Sequence, residues 1–200
     1  MLEKLRKDER NRKLFLFGNM KEFETERLIL RKIKLSDSEE MFNSWCNDPE
    51  VCKYLPWNVH GNIEVTKELV NLWVSEYNSL DTYRWIVVLK ETNECLGTID
   101  IVKKDKVNKS YEVGYCYKKS AWGHGYGTEA LKGVIKFLFE DIGAELVYAK
   151  HYEVNIGSYK VMEKAGMSVE GVLRSRVIFE GKRIGEVYHS ITRKEYEENL

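Results

Sequence analysis

The chain has 200 residues, 43% of them apolar and 32% charged, with 32 Lys plus Arg balanced by 32 Asp plus Glu. That length suits a single domain with a sizeable core, and the composition excludes collagen-like and membrane-spanning chains and argues against a disordered one. A net charge of zero lacks the basic surplus of a general nucleic-acid binder, so no nucleic-acid partner is expected.

Cys46, Cys52, Cys95 and Cys116 form no C-x-x-C pair and the four His are scattered, so neither a zinc site nor a disulfide framework is expected. No apolar signal-peptide core opens the chain and no run approaches a membrane span. The reading is cytoplasmic, with no membrane partner. Residues 1–20, mostly charged up to Lys13, read as an N-terminal extension, and 21–200 as a single domain.

Residues 27–34 (RLILRKIK) alternate apolar and charged side chains, the pattern of a half-buried strand. Ser36 to Glu39 reads as a capping box for a helix carrying Met41, Phe42 and Trp45 and stopping near residues 47–49. Residues 49–62 are irregular and aromatic, and either line a pocket or cover the core. Helical spacing returns over 63–79, with Val65, Leu69, Leu72, Trp73 and Tyr77 on one side. Strand-like runs at 84–90, 95–103 and 110–117 are joined by short polar turns, which predicts an antiparallel meander. Gly114 inside the third run marks a bulge or a close backbone approach.

Residues 128–142 form a strongly amphipathic helix, with Leu131, Val134, Ile135, Leu138 and Ile142 in one stripe and Gly143 at its end. A strand over 145–152 follows, so strand, helix and strand imply a parallel crossover. Asn155 suits the N-cap of a helix running to Ala165, and a hairpin turning at 180–182 joins the last strands, 176–179 and 183–191.

The chemistry is concentrated in Trp122-Gly123-His124-Gly125-Tyr126-Gly127-Thr128-Glu129-Ala130. Three glycines lead directly into a helix, so backbone N–H groups converge at a helix N-terminus and make an anion site suited to a phosphate or pyrophosphate. The spacing excludes a Walker loop and the dinucleotide fingerprint.

That loop, the strand before it with Glu112-Val113-Gly114-Tyr115, the opening Thr25-Glu26-Arg27-Leu28, and Asn155-Ile156-Gly157-Ser158 with Lys164-Ala165-Gly166-Met167 together resemble the GNAT N-acetyltransferase superfamily. The nearest likeness is to its ribosomal-protein (RimJ/RimL-like) branch, over residues 23–193. The resemblance implies an α/β (α+β) GNAT fold: a mixed, mostly antiparallel sheet of about six to seven strands flanked by helices. Within that sheet one pair of parallel strands splays apart. It also implies acetyl-CoA as donor, no metal, and a primary amine as acceptor, either a protein or peptide N-terminus or a small molecule. A homodimer is left open.

By the same resemblance, the backbone of His124, Gly125, Tyr126, Gly127 and Thr128 holds the CoA pyrophosphate. A bulge at 114–116 aims a free N–H at the thioester, making Tyr115, Cys116 and Tyr117 donor-site residues. Asn155 reaches the pantetheine arm or caps its helix. Ser158 serves the leaving thiolate, and Glu112 matches a position where some members place a base. The carboxylate that follows the second motif in some relatives falls on Val177, and a tyrosine used elsewhere falls on Met162. These departures admit an alternative, an acyl-CoA-binding module without turnover. Cys116 has no sequence-placed partner that would make it a nucleophile.

Overall fold

The computed structural model describes residues 20–79 and 81–198. The expected N-terminal extension lies outside the described residues apart from Met20, which is buried. A short β1 (Phe23–Glu24) precedes β2 (Leu28–Arg31), whose Leu28 and Leu30 enter the core. The Ser36/Glu39 box does not start the following helix. A 3-10 turn, Leu35–Asp37, comes first, and the Asp37 carboxylate closes it by accepting the Lys34 N–H at 2.7 Å while Arg31 grips it with two nitrogens at 2.8 and 2.9 Å. The helix α1 (Ser38–Met41) widens into a π-helical turn, Phe42–Cys46, that turns Trp45 and Cys46 inward.

Within the segment read as irregular, Asp48 caps a short α2 (Pro49–Cys52) through the Glu50 N–H, with Pro49 in the first helical position. Asn62 caps α3 (Ile63–Glu76). Its inward side is only partly the expected one, since Leu69, Trp73 and Tyr77 do face inward. Thr66 and Val70 are fully buried, with Trp73 and Tyr77 packed beside them, whereas Val65 and Leu72 face solvent. Positions 66, 70, 73 and 77 have the same helical spacing, and the Thr66 hydroxyl is satisfied by His60 Nδ1 at 2.9 Å, which lets a polar residue into the core.

The meander is β3 (Arg84–Leu89), β4 (Glu94–Asp105) and β5 (Ser110–Tyr117). The bulges lie on β4, not at 114–116 on β5. Leu96 is the extra residue against β3, and Val102 the extra residue against β5. Gly114 is instead the close approach: a Cβ there would lie 2.8 Å from Val102 Cγ1. Then come α4 (Tyr126–Phe137), ending in a π turn, Leu138–Ile142, before the left-handed Gly143, and β6 (Leu146–Tyr152). They are followed by α5 (Ile156–Lys164), β7 (Ser168–Phe179), β8 (Lys182–Thr192) and α6 (Arg193–Glu198). Glu180 and Gly181 both take positive φ in the β7–β8 turn, as a two-residue hairpin requires.

The strands form one eight-stranded sheet in the order β1-β2-β3-β4-β5-β6-β8-β7, more than the six or seven expected because β1 adds an edge. Every neighbouring pair is antiparallel except β5 and β6. One apolar core lies between the sheet and α4. A second lies on the opposite face under α1 and α3.

Candidate active site

The parallel pair is short. β5 and β6 are in register only from Ser110 to Glu112, against Leu146 to Tyr148, and then part. Lys118 donates its N–H to Leu96 on β4, so by the two-residue period Cys116 and Gly114 also turn their backbone groups to β4. The N–H and C=O of Val113, Tyr115 and Tyr117 therefore face the parting edge. The Tyr117 carbonyl there accepts the Trp122 indole N–H at 2.8 Å.

A cleft of about 600 Å³ opens at this fork, within the usual size range of small-molecule sites. Trp45, Tyr54, Trp57 and Trp73 wall one side, and Asn155, Ser158 and Met162 of α5 the other. Phe179, at the tip of the β7–β8 hairpin, stacks on Tyr54 with ring centroids 5.6 Å apart.

The structure thus brings Glu112, Tyr115, Cys116, Asn155 and Ser158 to one cleft. The Asn155 side chain accepts the Ser158 N–H at 3.1 Å and so caps α5. The Ser158 hydroxyl donates to the Tyr115 hydroxyl at 3.1 Å, which donates to the Ser158 carbonyl at 3.3 Å. Burial pushes the Tyr115 phenol above its ordinary range. Burial also raises the Cys116 thiol to about 11, so it stays protonated and unreactive. Glu112 is buried, with Lys150 Nζ 3.4 Å from its Oε1; the same ammonium lies 3.7 Å from Glu186.

His124 to Thr128 stand apart from these, at the start of α4. The first i−4 bond of that helix is Glu129 N–H to the Gly125 carbonyl, 3.0 Å, so the N–H groups of Tyr126, Gly127 and Thr128 precede it. Gly123 and Gly125 hold φ of 80° and 82°, left-handed values that glycine adopts without strain. Gly127 presses on the Tyr117 ring, and a Cβ there would lie 3.2 Å from Tyr117 and 3.4 Å from Val161. The Tyr117 hydroxyl is buried and, among the described residues, has no hydrogen-bond partner.

Sequence reasoning missed Asp100. It lies on β4 opposite Gly114, lines the cleft, and has Oδ1 3.7 Å from where a Gly114 Cβ would stand. Burial raises its carboxyl to about 6, although the Arg84 guanidinium 3.5 Å away pulls the other way. The available signal was an acid inside an apolar strand, LGTIDIV.

His151, on β6, also lies on the cleft wall. Its Nδ1 lies 2.8 Å from the Tyr152 carbonyl, an acceptor only, so Nδ1 carries the proton. Its Nε2 then accepts from His189 Nε2 at 3.1 Å, leaving His189 Nδ1 buried without a partner among the described residues. Burial lowers both imidazoles below their ordinary range. The unfolded chain therefore binds protons that the folded chain refuses as pH falls below about 6.5, and stability drops in that window. Melting curves between pH 5.5 and 7.5 are expected to show the fall, and His189→Gln to flatten it; equal slopes would refute the assignment.

A family model described as an acetyltransferase (GNAT) domain matches residues 27–168. The chain is 28% identical over 172 residues to an N-acetyltransferase named p20 from Bacillus licheniformis, covering 86% of this chain and 96% of that protein. Among solved structures, a GNAT-family acetyltransferase from Bacillus anthracis superposes with a TM-score of 0.77 at 27% identity, over 87% of this chain and 99% of that one. The microcin self-immunity acetyltransferase MccE, in complex with acetyl-CoA and AMP, shares the fold with a TM-score of 0.72 at 20% identity, over 84% of this chain and 93% of that one.

Proposed function

The chain belongs to the GNAT acetyltransferase family and is an acetyl-CoA-dependent N-acetyltransferase, and we propose that it passes the acetyl group directly to a primary amine in a ternary complex. The single observation carrying this reading is the fork between β5 and β6. It opens an aromatic-walled cleft that gathers Asp100, Glu112, Tyr115, Cys116 and Ser158 beside the parting strands. Residues 21–200 act as one catalytic domain, of the RimJ/RimL-like kind. Its four free cysteines suit a reducing cytoplasm.

The backbone of residues 124–128 takes the pyrophosphate. The open edge of β5 at Tyr115 and Tyr117, with Cys116 between them, runs beside the pantetheine arm and offers the Tyr115 N–H to the thioester carbonyl. An N–H so placed stabilises the developing oxyanion. Asn155 holds α5 in place for Ser158. The linked hydroxyls of Ser158 and Tyr115 return a proton to the departing thiolate. Asp100 and Glu112 supply the carboxylates of the acceptor side. Asp100 takes the amine's proton, and Glu112, engaged by Lys150, binds the incoming ammonium.

Thermal melting with acetyl-CoA, CoA, ATP and NAD in parallel tests the donor site. At 100 times its dissociation constant a ligand stabilises by about 2.7 kcal/mol, which for a chain of this length raises Tm by roughly 5–10 °C. The expected result is a shift with acetyl-CoA and CoA only, followed by thiol release in a screen of peptide N-termini and small primary amines. No shift with either thioester or thiol would overturn the donor-site assignment.

A further inference from the structure

Glu129 sits in the first turn of α4, beside the N–H groups assigned to the phosphates. A carboxylate there repels the anion that the helix start attracts. Its surroundings answer that conflict. The Thr25 hydroxyl donates to Glu129 Oε1 at 2.5 Å, the Arg27 N–H donates to the same oxygen at 2.8 Å, and Arg27 Nε donates to Oε2 at 2.7 Å.

The same guanidinium reaches the loop. Arg27 Nη1 donates to the His124 carbonyl at 3.0 Å, and the group lies 4.7 Å over the Tyr126 ring. Nη2 lies 3.5 Å from where a Gly125 Cβ would stand. A carbonyl of the glycine loop is thus drawn out toward Arg27, while the loop's N–H groups stay free. The side chain remains 43% exposed, so a phosphate can approach it.

We propose that Arg27 is a positioning residue of the phosphate site. It cancels the charge of Glu129 and fixes the glycine loop by its His124 carbonyl, so that the site accepts the CoA phosphates. This rests on the donor-site reading above. It also gives the Thr25-Glu26-Arg27-Leu28 segment a task that its resemblance alone did not supply.

Calorimetric titration with CoA, and with pantetheine, which lacks the phosphates, separates this role from a merely structural one. Arg27→Gln is expected to weaken CoA binding roughly 10- to 100-fold, the range of one charge-assisted hydrogen bond. Pantetheine binding should stay unchanged. Arg27→Gln/Glu129→Gln should regain most of the CoA affinity, because the unpaired carboxylate is gone, and Arg27→Lys should bind more tightly than Arg27→Gln. CoA affinity within twofold of wild type in Arg27→Gln would overturn the proposal. So would a double variant as weak as the single one, or an equal loss for pantetheine. If Arg27→Gln does not fold, the ratio of CoA to pantetheine affinity in Arg27→Lys and in the double variant decides by the same criteria. Wild-type protein that binds no CoA is the separate signature of a failed donor-site reading.

Discussion

Replacing Gly97 with Ala is expected to cost about 3 kcal/mol, the upper end of the ordinary range for overpacking, and to lower Tm by roughly 6–12 °C. A Cβ at position 97 would lie 2.1 Å from the Cys116 carbonyl oxygen, 2.8 Å from Tyr117 Cα and 2.9 Å from Tyr117 Cδ1. The first two are backbone atoms and cannot swing aside. They cannot retreat cheaply either. Lys118 is bonded to Leu96, the Tyr117 carbonyl holds the Trp122 indole, and the Tyr117 ring is pressed by Gly127. Strands β4 and β5 would have to separate where β5 turns its open edge to the cleft. The same variant should therefore lose acetyl-CoA affinity. Gly61→Ala is the control, since nothing lies within 4 Å of its Cβ position and its φ is not left-handed. Differential scanning fluorimetry of both variants checks the pair. A Gly97→Ala protein melting within 2 °C of wild type would show that the strands yield without cost.

The elements that frame the proposed donor site were legible because they rest on local rules. Gly123, Gly125 and Gly127 ahead of an amphipathic run mark a helix start with free N–H groups, and Asn155 marks another by its capping chemistry. The three-strand meander followed from alternation and short turns. What stayed hidden depends on which strand or face meets which. Gly114 announced either a bulge or a close approach, but only the register shows that the extra residue is Val102 on the neighbouring strand. Two positions of the α3 stripe, Val65 and Leu72, were misassigned because Thr66 enters the core on the strength of a hydrogen bond to His60, which hydropathy does not weigh. Arg27 and Glu129 lie 102 positions apart in sequence, and no spacing rule joins them. Asp100 belongs to the same class. Its importance comes from burial opposite a glycine and beside Arg84.

That carboxylate carries the largest expected effect on turnover. An ammonium has no lone pair, so acylation needs a proton acceptor on the amine's side of the thioester. In the proposed transfer the ammonium's proton passes to Asp100, the freed lone pair bonds to the carbonyl carbon, the C–S bond breaks, and a second proton from the nitrogen is relayed to the thiolate by the Ser158 and Tyr115 hydroxyls. With its carboxyl raised to about 6, Asp100 is ionised at neutral pH yet basic enough to accept. Wild-type kcat/KM for the amine found by thiol release should therefore rise with pH through about 6. Asp100→Asn should lose that limb together with about 10²–10⁴-fold of activity, the usual worth of a general base, while acetyl-CoA binding stays level.

Folding does not confound the comparison. Burial is the main cause of the raised value, so between about pH 4 and 6 the folded chain holds a proton that the unfolded chain gives up. The stability from that bound proton fades as pH rises through the window, leaving the ionised Asp100 a cost at pH 7. Asn removes that cost. Arg84 keeps Glu76 at 2.7 Å, so the variant should melt no lower than wild type at pH 7. Glu112→Gln is the companion, because its carboxylate shares the cleft but is engaged by Lys150. It should raise KM for the amine and keep the pH limb. If the limb instead survives in Asp100→Asn and vanishes in Glu112→Gln, the base is Glu112 and Asp100 only shapes the floor.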